Sequence, residues 1–297
     1  MSQVHKATII GSISIVLWGT LALLTQLTGG LIPTFQMMAM TFGLAFLCML
    51  LYWRSQGHWG LKHLKQPSKV WWLGVGGYFS YHFCYFMAMK LAPAVEVSLI
   101  TYLWPLLIVL FSALLPNEKL RIAHIAGAIM AFSGCWMLIY KDGAQINVQH
   151  IPGYLFALSC AFIWSLYSVA SRCISSVSSN VVAWFCAGTA LLAVFCHLLW
   201  EETYWDLDTS QWLGVIGLGV GPIGIAFITW DYGIKHGNLS LLGVFAYMTP
   251  LISVLFLVIS GSTQLNEDII TACIAIICGS LLAGLLGKSA NLKQSHQ

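Results

Sequence analysis

The sequence contains an internal duplication that relates its two halves. The tetrapeptide Leu-Gly-Val-Gly at residues 73–76 recurs at residues 218–221, and other residues repeat at the same offset. The repeated pairs are Lys90 and Lys235, Tyr102 and Tyr247, Pro105 and Pro250, residues 109–111 and 254–256, and Gly134 and Gly279. Because the matches include glycine, proline, lysine and tyrosine, they are not a by-product of a leucine-rich sequence. The chain is therefore built from two copies of one unit.

Long apolar runs show where such a unit can fold. Ten runs are each about as long as the roughly 20 residues that cross a hydrocarbon core of ~30 Å. They are residues 7–27, 33–53, 70–89, 94–115, 121–140, 152–172, 180–200, 212–232, 239–260 and 268–287. Only 8% of the residues are charged, against about 25% in soluble proteins, so a water-soluble fold is excluded. We predict an all-α polytopic membrane protein with ten transmembrane helices, the first of which is a retained helix rather than a signal peptide.

Basic residues are distributed unevenly between the loops of a ten-helix topology. If the N-terminus is cytoplasmic, the cytoplasmic side collects most of them, namely Lys6, Arg54, Lys62, Lys65, Lys69, Lys119, Arg121, Arg172, Lys235, Lys288 and Lys293. The opposite side has Lys90 and Lys141, together with the acidic segment 201–210. Since cytoplasmic loops of membrane proteins are enriched in lysine and arginine, we expect both termini in the cytoplasm.

Each copy of the duplicated unit contains an odd number of predicted helices. Two five-helix repeats, residues 6–141 and residues 152–288, would therefore enter the membrane from opposite sides. Inverted repeats of this kind place a substrate site at their interface near the middle of the membrane and rock about it. The sequence thus favours a transporter that works by alternating access.

Glycine and proline at matching positions of the two repeats mark candidate hinges. In transporters with inverted repeats, helices interrupted by these residues surround the substrate, and a proline within a helix removes a backbone hydrogen bond and kinks the helix. The residues with a predicted gating or hinge role are Gly74, Gly76, Pro105, Gly219, Gly221 and Pro250. For each glycine, close packing between two helices is the alternative.

Polar and aromatic side chains share helix faces with these glycine and proline residues. Hydroxyl and imidazole groups are costly against lipid, so we expect such faces to point into the helix bundle. The candidate substrate-binding residues on these faces are Trp18, Tyr78, His82, Tyr102, Trp164 and Ser168. Aromatic residues at helical spacing also form cores and interfacial belts, and we expect the belt for tryptophans at helix ends, such as Trp72 and Trp205.

Three charged residues in or beside the predicted helices leave more than one role open. Glu96 would hold a substrate amine, titrate in proton coupling or pair with Lys90, and its helix face favours the pairing. Asp231 and Lys235 have the i, i+4 spacing of an ordinary helix-end ion pair, with a role in a gate as the alternative. The nine cysteines form no Cys-x-x-Cys pair and are expected to be packing residues. We therefore predict no metal and no cofactor.

Several short motifs occur in the order and spacing of a known family. They are Ile-Val-Leu-Trp-Gly-Thr at residues 15–20, Tyr-His-Phe at 81–83, Lys-Leu-Ala-Pro-Ala at 90–94, Tyr-Leu-Trp-Pro-Leu at 102–106, Ile-Trp-Ser at 163–165, Gly-Pro-Ile-Gly-Ile-Ala at 221–226 and Trp-Asp at 230–231. From about residue 6 to residue 287, the chain resembles EamA-type members of the drug/metabolite transporter superfamily, and within them the aromatic amino acid exporters. The resemblance implies a ten-helix carrier of the bacterial inner membrane that exports phenylalanine, tyrosine and tryptophan. It also implies a central cavity with gates formed by the third, fourth, eighth and ninth helices.

Other functional classes compete with export of aromatic amino acids. A broader drug or metabolite exporter of the same fold is the main alternative, since a pocket of tyrosine, tryptophan and serine would also hold planar cations. A membrane enzyme is disfavoured because the sequence has no paired carboxylates on one helix face and no His/Asp/Glu cluster at ligand spacing. A passive channel is a third class. The expected partners are a small-molecule substrate and the lipid bilayer, with no nucleic acid, and the expected functional unit is a monomer.

Overall fold

The computed structural model describes residues 2–115, 121–140, 147–261 and 267–286, and these residues form helices and connections without a β-strand. The helices of the first half are α1 (Gln3–Gly19), α2 (Leu21–Leu27), α3 (Thr34–Ser55), α4 (Ser68–Trp71), α5 (Gly77–Leu91), α6 (Ala94–Thr101), α7 (Trp104–Ser112) and α8 (Ile122–Ile139). Those of the second half are α9 (Ile151–Cys173), α10 (Val181–Trp200), α11 (Thr209–Leu218), α12 (Ala226–His236), α13 (Leu239–Phe245), α14 (Met248–Ile259) and α15 (Glu267–Leu286). Short 3-10 helices, Leu61–His63 and Val148–His150, precede α4 and α9. The prediction of an all-α protein is confirmed.

Seven helical stretches of the described residues are long and apolar enough to cross a membrane. They are Gln3–Leu27, Thr34–Ser55, Ala94–Ser112, Val148–Cys173, Val181–Trp200, Thr209–His236 and Leu239–Ile259. Two further apolar helices, Ile122–Met137 and Ile269–Ala283, are shorter, and residues 68–91 form another continuous helical stretch. Each of the ten apolar runs in the sequence coincides with one of these helical stretches. The chain is a multi-pass membrane protein.

A π-helical segment interrupts one long helical stretch in each half of the chain. It spans Trp72–Gly76 between α4 and α5, and Gly219–Ile225 between α11 and α12. Both segments contain glycines of the repeated Leu-Gly-Val-Gly tetrapeptide. The repeated tetrapeptide thus coincides with the same helix irregularity in both halves. Because π-helical turns shift the backbone hydrogen bonds and occur frequently at functional sites, the two segments are candidates for a functional role.

The next helical stretch in each half is broken near its middle. Residues 102–103 separate α6 from α7, and residues 246–247 separate α13 from α14. Pro105 and Pro250 therefore lie in the first turns of α7 and α14, where a residue without an N–H group costs no helical hydrogen bond. Each break lies in the turn before its proline, where the ring and the missing N–H group of a proline disturb a helix. The hinge role of the two prolines stays a prediction.

The two halves of the chain pack against each other throughout. The most extensive helix packing joins α8 to α15, α1 to α12, α3 to α10 and α5 to α9, and each of these pairs takes one helix from each half. The largest buried cluster accordingly mixes residues of both halves, among them Trp18, Tyr78, Trp164 and Trp230. A site between the halves follows from this pairing of helices.

Candidate functional site

Aromatic side chains from both halves meet inside the helix bundle. This central aromatic cluster consists of Trp18, Tyr78, Trp104, Trp164, Tyr167, Phe227 and Trp230, and every member is less than one-tenth exposed. Helices α1, α5, α7, α9 and α12 each contribute at least one ring. The cluster therefore exists only where the two halves are packed together.

The rings of the central aromatic cluster pack largely with edges against faces. The ring centroid of Trp18 lies 5.7 Å from that of Trp164 and 6.1 Å from that of Trp104, at interplanar angles of 74° and 88°. The ring centroids of Tyr78 and Phe227 are 4.7 Å apart. Pairs at such distances contribute about 0.5–1.5 kcal/mol beyond the area that they bury. The cluster thus offers ring faces and edges of the kind that another aromatic ring prefers.

Tyr81 and His82 form a partly exposed edge of this cluster. The ring of Tyr81 lies 5.4 Å from that of Trp164, and the ring of His82 lies 6.3 Å from that of Phe227. The Nδ1 atom of His82 is 2.8 Å from the backbone carbonyl of Tyr78, which fixes the imidazole on α5. Both side chains are only partly buried, so the cluster is less enclosed at this edge than at its other rings.

Hydrogen bonds fix the polar groups of the cluster. The hydroxyl groups of Tyr78 and Tyr167 are 2.8 Å apart, and the Tyr167 hydroxyl donates to Asp231 Oδ1 at 3.1 Å. The Trp230 indole N–H donates to Ser168 Oγ at 3.1 Å. In this conformation Ser168 therefore orients Trp230, and the two tyrosine hydroxyls connect α5 to α9 and α12.

A buried ion pair lies directly beside the cluster. Asp231 Oδ2 and Lys235 Nζ are 2.7 Å apart, and their side chains are 1% and 0% exposed. Lys235 Nζ also donates to the carbonyl of Val177 at 3.0 Å. The i, i+4 pairing predicted from the sequence is present at the end of α12, but the pair is buried rather than exposed on the helix surface. Removing one partner of such a pair would leave a charge in the interior.

The indole of Trp18 ties α1 to the π-helical segment of the second half. Its N–H donates to the carbonyl of Pro222 at 3.0 Å. Within that segment, the N–H of Ala226 donates to the carbonyl of Gly221, five residues back, as π geometry requires. It therefore does not occupy the carbonyl of Pro222, which an α-helix would use, and Trp18 supplies the donor instead.

Tyr102 lies apart from the central aromatic cluster. It sits at the break between α6 and α7 and packs against a second buried cluster, whose members include Val109, Ala131 and Tyr247. Within the described residues, no aromatic ring contact joins Tyr102 to the central cluster. The other predicted binding residues lie in the central cluster or at its border, and they are Trp18, Tyr78, His82, Trp164 and Ser168.

The predicted hinge glycines differ in the space around them. A Cβ atom at Gly74 would overlap a phenylalanine ring of α10, and one at Gly219 would lie 2.8 Å from a leucine Cβ of α3. At Gly76 and Gly221 the nearest atoms would be 3.6 Å and 3.8 Å away. All four glycines lie in the π-helical segments. Gly74 and Gly219 permit close packing with a neighbouring helix, whereas Gly76 and Gly221 have room for a side chain.

Gly74→Ala is expected to lower stability by about 1–3 kcal/mol, because the added methyl group has to displace the ring of Phe185. The matched control is Gly76→Ala in the same π-helical segment, which has room for the methyl group. This control should be neutral or stabilising by up to about 1 kcal/mol, since alanine favours a helix more than glycine does. Thermal unfolding of both variants in one detergent makes the comparison. Equal melting temperatures would contradict the packing role of Gly74.

Sequence analysis did not select four members of the cluster, which are Trp104, Tyr167, Phe227 and Trp230. Tyr167 lies on the α9 face that supplied two of the candidates, so helical spacing contained the necessary signal. Phe227 is related to His82 by the duplication, and the two rings lie 6.3 Å apart across the interface. Extending each candidate to its duplicated position would have found it. Trp104 and Trp230 occur in two of the short motifs that carry the family resemblance, at residues 102–106 and 230–231.

Other ionisable groups lie away from the cluster. Glu96 lies in the first turn of α6 and is partly exposed. His63 lies between α3 and α4, where burial and the charge of Lys62 lower the pKa of its imidazole. Within the described residues, no group of three or more His, Cys, Asp or Glu side chains is arranged to hold a metal ion. The Asp231–Lys235 pair is therefore the ionic feature that touches the cluster.

Comparisons with known proteins find relatives that cover nearly the whole chain. The model of the EamA-like transporter family matches residues 5–140 and again residues 151–285. A protein of Ancylobacter novellus named aromatic amino acid exporter YddG is 48% identical over 285 residues, which are 95% of this chain and 98% of that protein. A protein of the same name from Salmonella typhimurium is 28% identical over 294 residues, covering 95% of this chain and 97% of that protein. A solved crystal structure is 47% identical and superimposes with a TM-score of 0.91 over 95% of this chain and 97% of its own.

Proposed function

Because the chain belongs to the EamA-like transporter family, we propose that it exports aromatic amino acids across the bacterial inner membrane. The observation that carries this proposal is the central aromatic cluster, where both halves bring ring faces and edges together. The relatives that are named aromatic amino acid exporters support the same substrate class. Phenylalanine, tyrosine and tryptophan are the proposed substrates.

Packing a substrate ring against the cluster provides binding free energy of a suitable size. Burial of a side chain the size of phenylalanine contributes about 1.5–3 kcal/mol, and a well-placed aromatic neighbour adds about 0.5–1.5 kcal/mol. The two contributions approach the ~4 kcal/mol of a complex with a millimolar Kd. Weak binding suits an exporter, since the substrate has to be released on the far side.

The proposed binding site combines the cluster with its partly exposed edge. Tyr78, His82 and Trp164 contact the substrate ring, because His82 lies at that edge and the other two rings lie next to it. Trp18 supports the site by donating to the carbonyl of Pro222 in the second π-helical segment. Ser168 supports it by accepting a hydrogen bond from Trp230. Tyr102 contributes only after the break between α6 and α7 has moved.

The proposed architecture has ten transmembrane helices in two inverted repeats, residues 6–141 and residues 152–288. It is supported by the odd number of helical stretches in each half, by the matching π-helical segments and by the matching helix breaks. Both termini are cytoplasmic in this topology. A monomer is the proposed functional unit, because the candidate site lies between two halves of one chain.

Alternating access is the proposed mechanism, with the π-helical segments and helix breaks as its moving parts. Gly76 and Gly221 give the π-helical segments freedom to change, whereas Gly74 and Gly219 keep their neighbouring helices close. Pro105 and Pro250 lie in the first turns of α7 and α14 and prevent each helix from continuing through the break before it. Rocking of one repeat against the other would then expose the cluster to each side in turn.

A cysteine introduced in place of Trp205 is expected to react with an impermeant maleimide added outside the cell. Trp205 is 64% exposed and lies in the acidic segment that the proposed topology places outside. The matched control is Lys65→Cys, an exposed position of the connection between α3 and α4, which should react only after the cells are opened. The opposite pattern would overturn the proposed orientation.

Counterflow in proteoliposomes tests the proposed function. Vesicles preloaded with unlabelled L-phenylalanine should accumulate labelled L-phenylalanine or L-tryptophan transiently, because a carrier exchanges its substrate whereas a channel does not. An aliphatic amino acid and a planar organic cation serve as competitors in the same assay. Strong competition by the cation, with weak competition by tryptophan, would favour the broader drug or metabolite exporter. Absence of counterflow with every aromatic amino acid would reject the proposal.

A further inference from the structure

We propose that Tyr167 and the Asp231–Lys235 ion pair connect the central aromatic cluster to a latch that closes one end of the transporter. The latch is the set of contacts that residues 231–237, at the end of α12, make with α1, with α9 and with the turn at residues 174–178. The proposal rests on the transport function above and adds the residues through which the substrate acts on a gate. In the proposed topology this is the cytoplasmic end.

A continuous line of polar contacts leads from the cluster to the latch. The Tyr78 hydroxyl lies 2.8 Å from the Tyr167 hydroxyl, which donates to Asp231 at 3.1 Å. Asp231 is paired with Lys235 at 2.7 Å, and Lys235 donates to the carbonyl of Val177 at 3.0 Å. The four side chains are buried. Displacing one of them must therefore rearrange the next or leave a buried polar group without a partner.

The carbonyl groups at the end of α12 are held from the side of α9. Arg172 Nη1 donates to three of them at 3.0, 2.9 and 2.8 Å, which are the carbonyls of Ile234, Lys235 and Gly237. The last carbonyls of a helix have no partner within the helix and attract cations. The arginine thus fixes the end of α12 to α9 beside the ion pair.

On its other side, the end of α12 is pressed against α1. A Cβ atom at Gly11 would lie 2.9 Å from the Cα atom of Gly233, so the two backbones are in direct contact. The N–H of Asn238 donates to Thr8 Oγ1 at 2.9 Å. The end of α12 is therefore held on both sides, by α1 and by α9.

Two charges inside this latch call for a role beyond stability. A buried ion pair is weak evidence for stabilisation, because apolar side chains of similar volume often serve as well. A switch explains the charges, since water can solvate them once the end opens. When a substrate ring packs beside Tyr78, the paired hydroxyls of Tyr78 and Tyr167 have to turn. Asp231 then loses a hydrogen-bond donor in the closed state, and the population shifts towards the open state.

Distance measurements across the latch test the proposal in the full-length protein. Spin labels at S176C and H236C, both exposed positions, report the distance between the 174–178 turn and the end of α12 in a cysteine-free background in nanodiscs. Asp231→Asn/Lys235→Gln removes both charges and leaves no unpaired one. Without substrate, this variant is expected to gain a population with distances longer by on the order of 5 Å, one helical turn. A distribution identical to that of the parent would overturn the latch.

Tyr167→Phe tests the connection, since it keeps the ring and the ion pair and removes only the hydroxyl. L-phenylalanine or L-tryptophan should lengthen the distance in the parent and leave Tyr167→Phe unchanged. The matched control is Tyr85→Phe, whose ring stacks on Tyr81 outside the line of contacts and which should respond like the parent. A parental response in Tyr167→Phe would overturn the connection. If the parent ignores both amino acids while Asp231→Asn/Lys235→Gln still opens, the latch is supported and the proposed substrate class is rejected.

Discussion

Replacing Lys235 by glutamine is expected to destabilise the protein by about 3–5 kcal/mol, the cost of leaving a buried charge without its partner. The carboxylate of Asp231 is 1% exposed, and Lys235 Nζ lies 2.7 Å from it. The hydroxyl of Tyr167 would still donate to Asp231, but one neutral donor does not replace a cation. Thermal unfolding of the purified protein in one detergent measures the loss.

Two matched controls distinguish loss of the ion pair from the effect of replacing a lysine side chain by glutamine. Lys90→Gln changes the lysine that the duplication relates to Lys235, and because Lys90 is exposed, a change of no more than about 0.5 kcal/mol is expected. Asp231→Asn/Lys235→Gln should be more stable than Lys235→Gln alone, since it buries no unpaired charge. If the single and double variants were equally unstable, the ion pair would not be the reason for the loss.

Trp164→Ala is expected to reduce transport of phenylalanine and tryptophan at least about tenfold, a factor that corresponds to 1.4 kcal/mol. The ring of Trp164 lies 5.7 Å from that of Trp18, 5.4 Å from that of Phe227 and 5.4 Å from that of Tyr81. Its removal takes away a ring face that borders the partly exposed edge formed by Tyr81 and His82. It also costs about 3–5 kcal/mol of packing, so the rate must be normalised to the amount of inserted protein.

Two controls show whether the loss of transport is specific to Trp164 or follows the removal of any tryptophan. Trp164→Phe keeps a ring at the same position and should retain a larger part of the rate. Trp205→Ala removes a tryptophan that is 64% exposed in the acidic segment 201–210 and should transport like the parent. A Trp164→Ala protein that inserts normally and transports at the parental rate would show that the substrate does not use this cluster.

Helical periodicity predicted much of the fold and part of the candidate site. The apolar runs located the helical stretches because a membrane-spanning helix needs a fixed length of apolar sequence. The faces that contain Trp18, Tyr78 and Trp164 were predicted to point to the bundle interior because their hydroxyl and imidazole groups are costly against lipid. The structure brings these three rings into one cluster.

Periodicity failed where the helices are irregular. Tyr102 was grouped with Pro105 by assuming one continuous helix, but residues 102–103 form a break, and the grouping on one face no longer holds across it. Helical periodicity did not predict the two π-helical segments either. In the second of them, a carbonyl that the shift leaves free accepts a hydrogen bond from a residue far along the chain, the indole of Trp18 at Pro222.

The duplication also hid a difference in environment. Lys90 and Lys235 occupy equivalent positions in the two halves, yet Lys90 is exposed and Lys235 is 3% exposed with an ionic partner. The residue of the first half that corresponds to Asp231 is Phe86, so Asp231 has no acidic counterpart. Repeat symmetry in the backbone therefore does not carry over to the charges.

The pairing of helices between the halves determines when this protein can fold during its synthesis. Helices α1, α3, α5 and α8 leave the ribosome first, and each has its main packing partner among helices made later. Until those partners arrive, the small and polar faces of the early helices stay in lipid or with chaperones. The helices of the amino-terminal half therefore complete their main packing only after their partners in the second half have been inserted, the last of which is α15 against α8.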